Sequence, residues 1–555
     1  MSMRKRALGA TTEISFRLSA ATLLLVLFLG LSGCERKEEK PAAPAAESHP
    51  KIGILPEGAT RPNIVFILID ALRADRLAAY GSRSGLSPTI DTIALTGVTF
   101  DECVAPAPWT LPSVASLFVS YYPGVHKATN YRALESMEEG KRAYQSVLSD
   151  EFHTLAEVLH DNGYQTAGFC ANKFVRQRYG FAQGFDHFDT SFADNTVSGA
   201  KVNEAAFKWL EQRSPDKPFF LYLHYMDVHG PYNAAPEFMD PLMAKVEANP
   251  DKQKLTGKQL QRLNSYLRKP PPNATDPERF SRLSEYREYW VARYEAGVAE
   301  MDSYIKQLVR RLNELGLWDN AYVILLSDHG EALCEHDWWD HGYSQYQTDL
   351  HVPLILRWPD VLPPNMRVRR LASLIDVMPT LLEQLRIPFD EKIQGVSLVD
   401  HISNRLPPTP PLARFAEAVK SGPRQYALFA DNTKLLVTEI PARKVPDGST
   451  AKASLRPQLF NLATDPGEQF DLAEQNAQQV QMLVKLMYKF IEINMNTKPG
   501  LVVPTKAVDA DTIKRLESLG YVGGEDEEAN EPAPTSVPAS EPGSQPAGES
   551  DAANP

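Results

Sequence analysis

Three apolar runs of this chain end in groups that can hold or move charge. NIVFILID closes on Asp70, FFLYLHYMDVH on Asp227 and His229, and NAYVILLSDH on Asp328 and His329. Carboxylates and imidazoles gathered in one place repel or compete for protons unless a positive charge sits between them, and a divalent metal supplies that charge. Any one of these Asp residues, read alone, is a turn former or a loop-starting cap. Three of them closing three apolar runs point to a metal site. Asp227 and His229 are two residues apart, so an extended chain would direct both the same way. The stretch GEALCEHDWWDHGYSQYQTDLHVPLILRWP adds His336, His341 and His351. His341, placed just before Gly342 and soon after SDHGE, is expected to reach the same place; His336 and His351 are read as structural or substrate-facing. The remaining reactive group is Thr110 in PAPWTLPSVASLF. A Thr ahead of a Pro-containing first turn is an ordinary helix start, and a hydroxyl beside a metal site is a candidate nucleophile. The stretch itself leaves both readings open.

An alternation of strands and helices positions these groups. NIVFILID is a continuous run rich in β-branched residues, the pattern of a central strand buried on both faces. TLAEVLHDNG reads as an amphipathic helix stopped at Gly163, and YQTAGFCAN as the next strand. FFLYLHYMD is a further buried strand, YEAGVAEMDSYIKQLVRRLNELG a long helix ending at Gly316, and NAYVILLSDHG the strand after it. Repeated β-α-β order implies an α/β fold with a mostly parallel central sheet flanked by helices. Ligands of such sheets bind at the carboxyl ends of the strands, where the charged groups collect. Residues 236–290 form a polar insertion after MDVHGPY and are expected to make a lid, its Lys and Arg read as a charged helical surface.

The chain has 555 residues and a net charge of −12, with no basic block beyond its N-terminus. That balance excludes a general nucleic-acid binder, which needs a phosphate-tracking surface. Residues 1–33 read as a signal peptide: Arg4, Lys5, Arg6 and Arg17 precede the short apolar run ATLLLVLFLG. The following LSGC resembles a bacterial lipobox, which makes Cys34 the expected lipidation site and residues 34–60 a flexible tether. The expectation is an exported bacterial lipoprotein, anchored to a membrane and facing the periplasm or the cell surface. Cys103, Cys170 and Cys334 remain, an odd number without framework spacing, so disulfides do not build the fold. Residues 523–555 are acidic and rich in Pro, Ala and Ser, a tail that lacks the apolar content to order itself.

Several stretches in this order resemble the sulfatases and their relatives in the alkaline phosphatase superfamily. They are RPNIVFILIDALRADRLAAYG, SPTIDTIALTGVTFDECVAPAPWTLPSVASLF, GFAQGFDHFD, VILLSDHGE, VPLILRWP, LIDVMPTLL and LFNLATDPGEQFDLA. The resemblance implies an alkaline-phosphatase-like sulfatase core over residues 61–400, a smaller C-terminal α+β subdomain over 401–522, and a divalent cation beside a nucleophile that attacks a sulfate or phosphate ester. In sulfatases the nucleophile is a Cys or Ser followed by any residue, Pro, any residue and Arg, and it is oxidised to formylglycine. Here TLPSV fills that pattern, with Thr110 at the nucleophile position, Pro112 matching and Val114 in place of the Arg. Thr cannot become formylglycine, so none is expected. Ala71 stands where a second Asp is usual, and His329 where an Asn is usual.

These departures resemble the branch that uses a metal-bound Thr: phosphodiesterases, nucleotide pyrophosphatases, and phosphoethanolamine and lipoteichoic acid transferases. The resemblance implies that Asp70, Thr110, Asp328 and His329 hold one metal. Zn²⁺ or Mn²⁺ suits that set better than Ca²⁺, which remains the alternative. Asp227, His229 and His341 would complete a second metal site, or His229 and His341 would act in catalysis by protonating the leaving group. The helix starting near Thr110 would aim its N-terminal N–H groups at the anionic ester. The expected function is therefore a metal-dependent hydrolase of sulfate or phosphate esters, favouring phosphodiester chemistry, with Thr110 forming a covalent ester. The alternatives are a sulfatase proper and, since Val114 offers no charge, an inactive lipid-anchored binding protein. The expected partner is an anionic ester, whether a small molecule, a glycan or a lipid head group.

Overall fold

Successive side chains of a strand point to opposite faces, so an unbroken apolar run is stable only between two cores. The run Asn63–Ile69 (β1) obeys this: Ile64, Phe66 and Leu68 enter one hydrophobic cluster, and Val65, Ile67 and Ile69 enter another. The computed structural model describes residues 52–134, 142–193, 199–248, 286–389, 391–404, 413–444, 450–498, 501 and 505–508. The signal peptide, Cys34, most of the tether, residues 249–285 of the insertion and the acidic tail lie outside the described residues.

Around β1 the chain builds an eight-stranded sheet from β2 (Val98–Phe100), β3 (Gln165–Cys170), β4 (His187–Asp189), β5 (Phe219–Tyr225), β6 (Ala321–Leu326), β7 (Leu354–Arg357) and β8 (Met366–Val368). The order is β8-β2-β7-β6-β1-β5-β3-β4. Only β7 runs antiparallel to its neighbours, which makes the sheet mostly parallel. The register sets the site. Ile69 pairs with Tyr225, Leu68 with both His224 and Leu326, and Cys170 with His224. The carboxyl ends of β1, β3, β5 and β6 therefore finish level with one another.

Helices cover both faces, among them α1 (Pro88–Leu95), α2 (Thr110–Val119), α3 (Leu155–Asp161), α4 (Gly199–Gln212), α5 (Pro236–Glu247) and α6 (Arg287–Glu314). The T-x-x-E pattern of TLAE forms a capping box on α3: the Glu157 N–H donates to Thr154 Oγ1 at 3.2 Å, and the Thr154 N–H to Glu157 Oε2 at 2.8 Å. In α6, Asp302 accepts from the first N–H groups of α1, those of Thr89 and Ile90. Tyr294 of the same helix donates to the Ala71 carbonyl at 2.8 Å and accepts from the Arg73 N–H at 2.9 Å, clamping the loop after β1. Gly297 lets α6 approach the turn after β5, since a Cβ there would lie 2.7 Å from the Asp227 carbonyl oxygen.

A second, antiparallel sheet follows: β9 (Arg414–Ala416), β10 (Gln425–Ala430), β11 (Thr433–Ile440) and β12 (Ser454–Asn461), covered by α7 (Ala477–Thr497). Two buried ion pairs serve this C-terminal subdomain. Arg414 meets Asp376 at 2.8 Å, across to the main core. Lys434 on β11 meets Glu468 at 2.5 Å, and Glu468 also accepts from the Gln347 N–H at 2.6 Å. A buried charge stripped of its partner costs about 3–5 kcal/mol. Lys434→Ala is therefore expected to lower the free energy of unfolding by an amount in that range. The double change Lys434→Met with Glu468→Met should restore much of it, as paired chemical-denaturation curves will show.

Candidate active site

At the level carboxyl edge of the sheet, the backbone turns away from β1 at Asp70. Asp70 is fully buried, and Ala71 follows at φ +60°, a left-handed conformation that is costly for a residue with a side chain. That turn aims the Ala71 N–H at Asp328 Oδ1, 3.4 Å away. Ser327 fixes the end of β6, accepting from the Leu72 N–H at 2.9 Å and donating to the His329 carbonyl at 2.7 Å. Asp328 and His329 are fully buried beside it.

Thr110 is the first residue of α2, and the cap position belongs to Trp109, which makes no side-chain capping bond. The Thr110 hydroxyl is occupied elsewhere. It lies 3.4 Å from Asp70 Oδ2 and 3.3 Å from His329 Nε2, and it accepts from Asn172 Nδ2 at 3.3 Å. Asn172 also donates to Asp70 Oδ2 at 2.7 Å. One turn along α2, Ser113 donates to the Asp328 carbonyl at 2.6 Å and locks the helix to the end of β6. Val114, where the resemblance leads one to expect Arg, is fully buried in the apolar core.

The geometry around His329 tests whether a cation fits. His329 Nδ1 is 2.8 Å from the Gly330 carbonyl, to which it donates, so the lone pair of the neutral ring is on Nε2. Nε2 sits 3.4 Å from Asp70 Oδ1 and 3.5 Å from Asp328 Oδ2. Neither of those two carboxylate oxygens accepts a hydrogen bond from the described residues, although both are buried. Asp70 Oδ1 and Asp328 Oδ2 thus converge on His329 Nε2 beside the Thr110 hydroxyl, two buried oxygens without a donor among the described residues, an arrangement that could hold a divalent cation. The electrostatics agree. Burial, followed by the charge of Asp70, pushes Asp328 up, whereas contacts with His224 and His329 overcome burial to hold Asp70 well below the usual carboxylate range. Burial opposes charge on His329, but Asp328 and Asp70 outweigh it and drive the group up to about 10, so without a cation its Nε2 carries the proton that a bound metal would replace. This pocket calls for positive charge.

Of the remaining expected residues, His229 and His341 are brought to this place and Asp227 is not. The His341 ring stacks on His329 with centroids 4.3 Å apart, and His229 meets His341 at 4.8 Å. The turn after Tyr225 corrects the expectation for Asp227. The chain is not extended there, so Asp227 and His229 diverge, and Asp227 Oδ1 accepts from the first N–H of α4, that of Gly199, at 2.8 Å. Burial pushes Asp227 up to about 7, and it belongs to the helix terminus rather than to a second metal set with His229 and His341. His336 stacks on Tyr346 at 3.8 Å, and His351 Nε2 meets the Asp101 carbonyl at 2.9 Å, so both face away from this cluster.

Sequence reasoning missed Asn172, His224, Glu331 and Asp340. His224 Nε2 is 3.0 Å from Asp70 Oδ2, and its Nδ1 meets the Tyr222 hydroxyl at 2.9 Å. The available signal was a histidine inside an otherwise apolar run, two residues from a Tyr and hence on the same face. Glu331 and Asp340 flank His341, whose Nδ1 lies 3.2 Å from Glu331 Oε1 and 2.8 Å from Asp340 Oδ1. Burial, then the charge of Asp340, pushes Glu331 up to about 8.

The arrangement offers a positioned hydroxyl, a pocket whose acidic and imidazole groups could hold a cation, and histidines beside it. Comparison with known proteins gives the same direction. A family model described as Sulfatase matches residues 62–387. The chain is 23% identical over 416 residues to an N-acetylglucosamine-6-O-sulfatase of Bacteroides thetaiotaomicron, covering 63% of this chain and 72% of that one. It is 25% identical over 404 residues to an arylsulfatase of Clostridium perfringens, covering 62% and 79%. Among solved structures, one holding its substrate D-glucosamine-2-N,6-O-disulfate superposes with a TM-score of 0.61 at 20% identity, over 79% of this chain and 99% of that one. The phosphonate monoester hydrolase of Agrobacterium radiobacter superposes with a TM-score of 0.59 at 19% identity, over 78% and 96%.

Proposed function

Because the chain belongs to the sulfatase family of ester hydrolases, we propose that it hydrolyses an anionic sulfate ester with the Thr110 hydroxyl as nucleophile. The observation that carries this reading is the Thr110 hydroxyl itself, held between Asn172 and Asp70 at the edge of the cation-binding pocket. The relatives named for sulfate esters support the choice of substrate. Asp70, Thr110, Asp328 and His329 would hold the cation, and their mixed O and N donor set favours Zn²⁺ or Mn²⁺. Such an ion, when bound, lowers the pKa of a coordinated hydroxyl and offsets the charge of the ester.

The chain's own residues do the rest. Asn172 donates to Thr110 Oγ1 and Asp70 accepts from it, so the hydroxyl is fixed with a lone pair left for attack, and its proton leaves along the bond to Asp70. Oγ1 bonds to sulfur as the bond from sulfur to the alcohol oxygen breaks. The departing oxygen takes a proton from His341 or His229, which lie beside the pocket. Water then attacks the sulfur of the Thr110 ester as the bond from sulfur to Oγ1 breaks, Oγ1 recovers the proton held by Asp70, a proton of the water returns to the histidine, and inorganic sulfate is released. The N-terminal N–H groups of α2 face the anion throughout.

One observation favours a second reading. Thr110 carries a single hydroxyl and cannot become formylglycine, so sulfate cannot be expelled by a second hydroxyl on the same carbon. A phosphate diester or a phosphonate monoester needs no such step, and a phosphonate monoester hydrolase shares the fold. A panel of nitrophenyl sulfate, phosphate monoester, phosphate diester and phenylphosphonate separates the two. The first reading predicts the sulfate to have the highest kcat/KM, and a preference for the diester or the phosphonate would select the second.

We also place the enzyme at a membrane, tethered through a lipid on Cys34. Cys34→Ser is expected to move the chain from the membrane pellet to the soluble fraction, and retention in the pellet would refute the anchor.

A further inference from the structure

The Asp70 carboxylate is held unevenly. Its Oδ2 lies 2.7 Å from Asn172 Nδ2, 3.0 Å from His224 Nε2 and 3.4 Å from the Thr110 hydroxyl. Its Oδ1 accepts no hydrogen bond from the described residues and sits 3.4 Å from His329 Nε2. An ionised carboxylate only accepts, so His224 Nε2 carries a proton and donates it to Asp70. The other end of the ring is also tied, because Nδ1 lies 2.9 Å from the Tyr222 hydroxyl. Tyr222, His224 and Asp70 are all fully buried, and the sheet accounts for their alignment. Tyr222 and His224 are two residues apart on β5 and so share one face. His224 pairs with Leu68 of β1, and Asp70 follows two residues after Leu68. The proposed reaction needs only Asn172 and Thr110 on Oδ2, and burying an imidazole in an apolar strand costs free energy.

We propose that His224 is a positioning residue for the cation pocket, acting by fixing the rotation of the Asp70 carboxylate. A carboxylate turning about its Cβ–Cγ bond exchanges its two oxygens. Two nitrogen donors on Oδ2, Asn172 from the loop after β3 and His224 from β5, oppose that turn. Oδ1 therefore stays beside His329, free to meet a cation, and Oδ2 stays within reach of Thr110. Tyr222 in turn holds the ring so that Nε2 faces Asp70. Cys170, paired with His224 between β3 and β5, also contacts the ring. An outer partner of this kind tunes how well a ligand holds its metal while touching neither metal nor substrate. The inference rests on Asp70 as a cation ligand, as proposed above, and is independent of which ester is cleaved.

The test is Mn²⁺ affinity, read by calorimetric titration of the chelator-stripped full-length chain, with kcat and KM measured on the loaded protein. His224→Leu, of similar bulk but without a donor, is expected to bind Mn²⁺ about 10- to 100-fold more weakly. At saturating Mn²⁺ it should lose kcat with KM nearly unchanged. His224→Gln carries an amide nitrogen able to reach Asp70 Oδ2 and should recover most of the affinity. Tyr222→Phe should lose less than His224→Leu, because Cys170 still contacts the ring. A His224→Leu chain that unfolds cooperatively and binds Mn²⁺ as wild type does overturns the proposal, as does a glutamine variant no better than the leucine one. A wild-type chain that takes up no Mn²⁺ also overturns it. If the leucine variant does not fold, His224→Asn, whose shorter amide falls short of Asp70, replaces it with the same two outcomes. If Thr110→Ala keeps full turnover while His224→Leu weakens Mn²⁺ binding, the nucleophile assignment fails and the role of His224 stands.

Discussion

Thr110→Ala is expected to lose about 10⁴- to 10⁶-fold in turnover of whichever ester the wild-type chain prefers, the range typical of removing a nucleophile. Its fold and most of its metal affinity should survive. The reason lies in what the hydroxyl touches. Asn172 retains its 2.7 Å bond to Asp70 when the Thr110 oxygen is gone, so the change orphans no buried donor. Asp70, Asp328 and His329 also keep their places, since none of them depends on Thr110 for position: Asp328 is held through its backbone by Ser113, and His329 through Gly330. Thr110→Ser keeps the nucleophile and loses only a methyl group in a fully packed helix start, so it should retain measurable turnover. A Thr110→Ala chain with wild-type rates would return Thr110 to the role of an ordinary first helical residue.

Asp328→Asn is expected to abolish both metal uptake by the pocket and turnover. Its effect on affinity should exceed the roughly 10- to 100-fold loss typical of an outer-shell partner, because the change removes a charge that converges with Asp70 and His329 within 4.8 Å. The distinguishing signature is stability. Two buried carboxylates with unsatisfied oxygens repel each other when no cation joins them. Neutralising one should therefore leave the metal-free chain as stable as wild type or more so. Added metal should raise the melting temperature of the wild-type chain and stabilise the variant much less, because ligand-linked stabilisation follows affinity. A variant that is destabilised without metal and still binds it would contradict a ligand role for Asp328.

The sheet and the level of its strand ends were legible because buried parallel strands leave an unbroken apolar signature. NIVFILID, FFLYLHY and AYVILL each carry it, and a polar residue closing such a run stands out. That is how Asp70, Asp328 and His329 could be named from spacing alone. Thr110 was ambiguous in isolation, and the structure shows its hydroxyl facing Asp70, His329 and Asn172 rather than capping α2. Asp227 misled for a physical reason: the two-residue period that aligns it with His229 holds only in extended chain, and the strand stops at Tyr225. His224 was hidden because a histidine on one face of a buried strand disturbs hydropathy little. Asn172 sits beyond the end of β3 at Cys170, where an Asn ordinarily reads as a turn former. Glu331 and Asp340 became meaningful only once the fold set both against His341.

The claim on which the rest depends is that Thr110 becomes covalently esterified. The most direct measurement is a single-turnover reaction of the metal-loaded chain with the preferred nitrophenyl ester, quenched in acid, digested and mapped by mass spectrometry. The peptide carrying Thr110 should appear heavier by one sulfuryl or phosphoryl group, with fragmentation placing the added mass on Thr110 and the adduct decaying as inorganic anion is released. Full release of nitrophenol with that peptide unmodified at every time point, or with the added mass on another residue, would contradict the account.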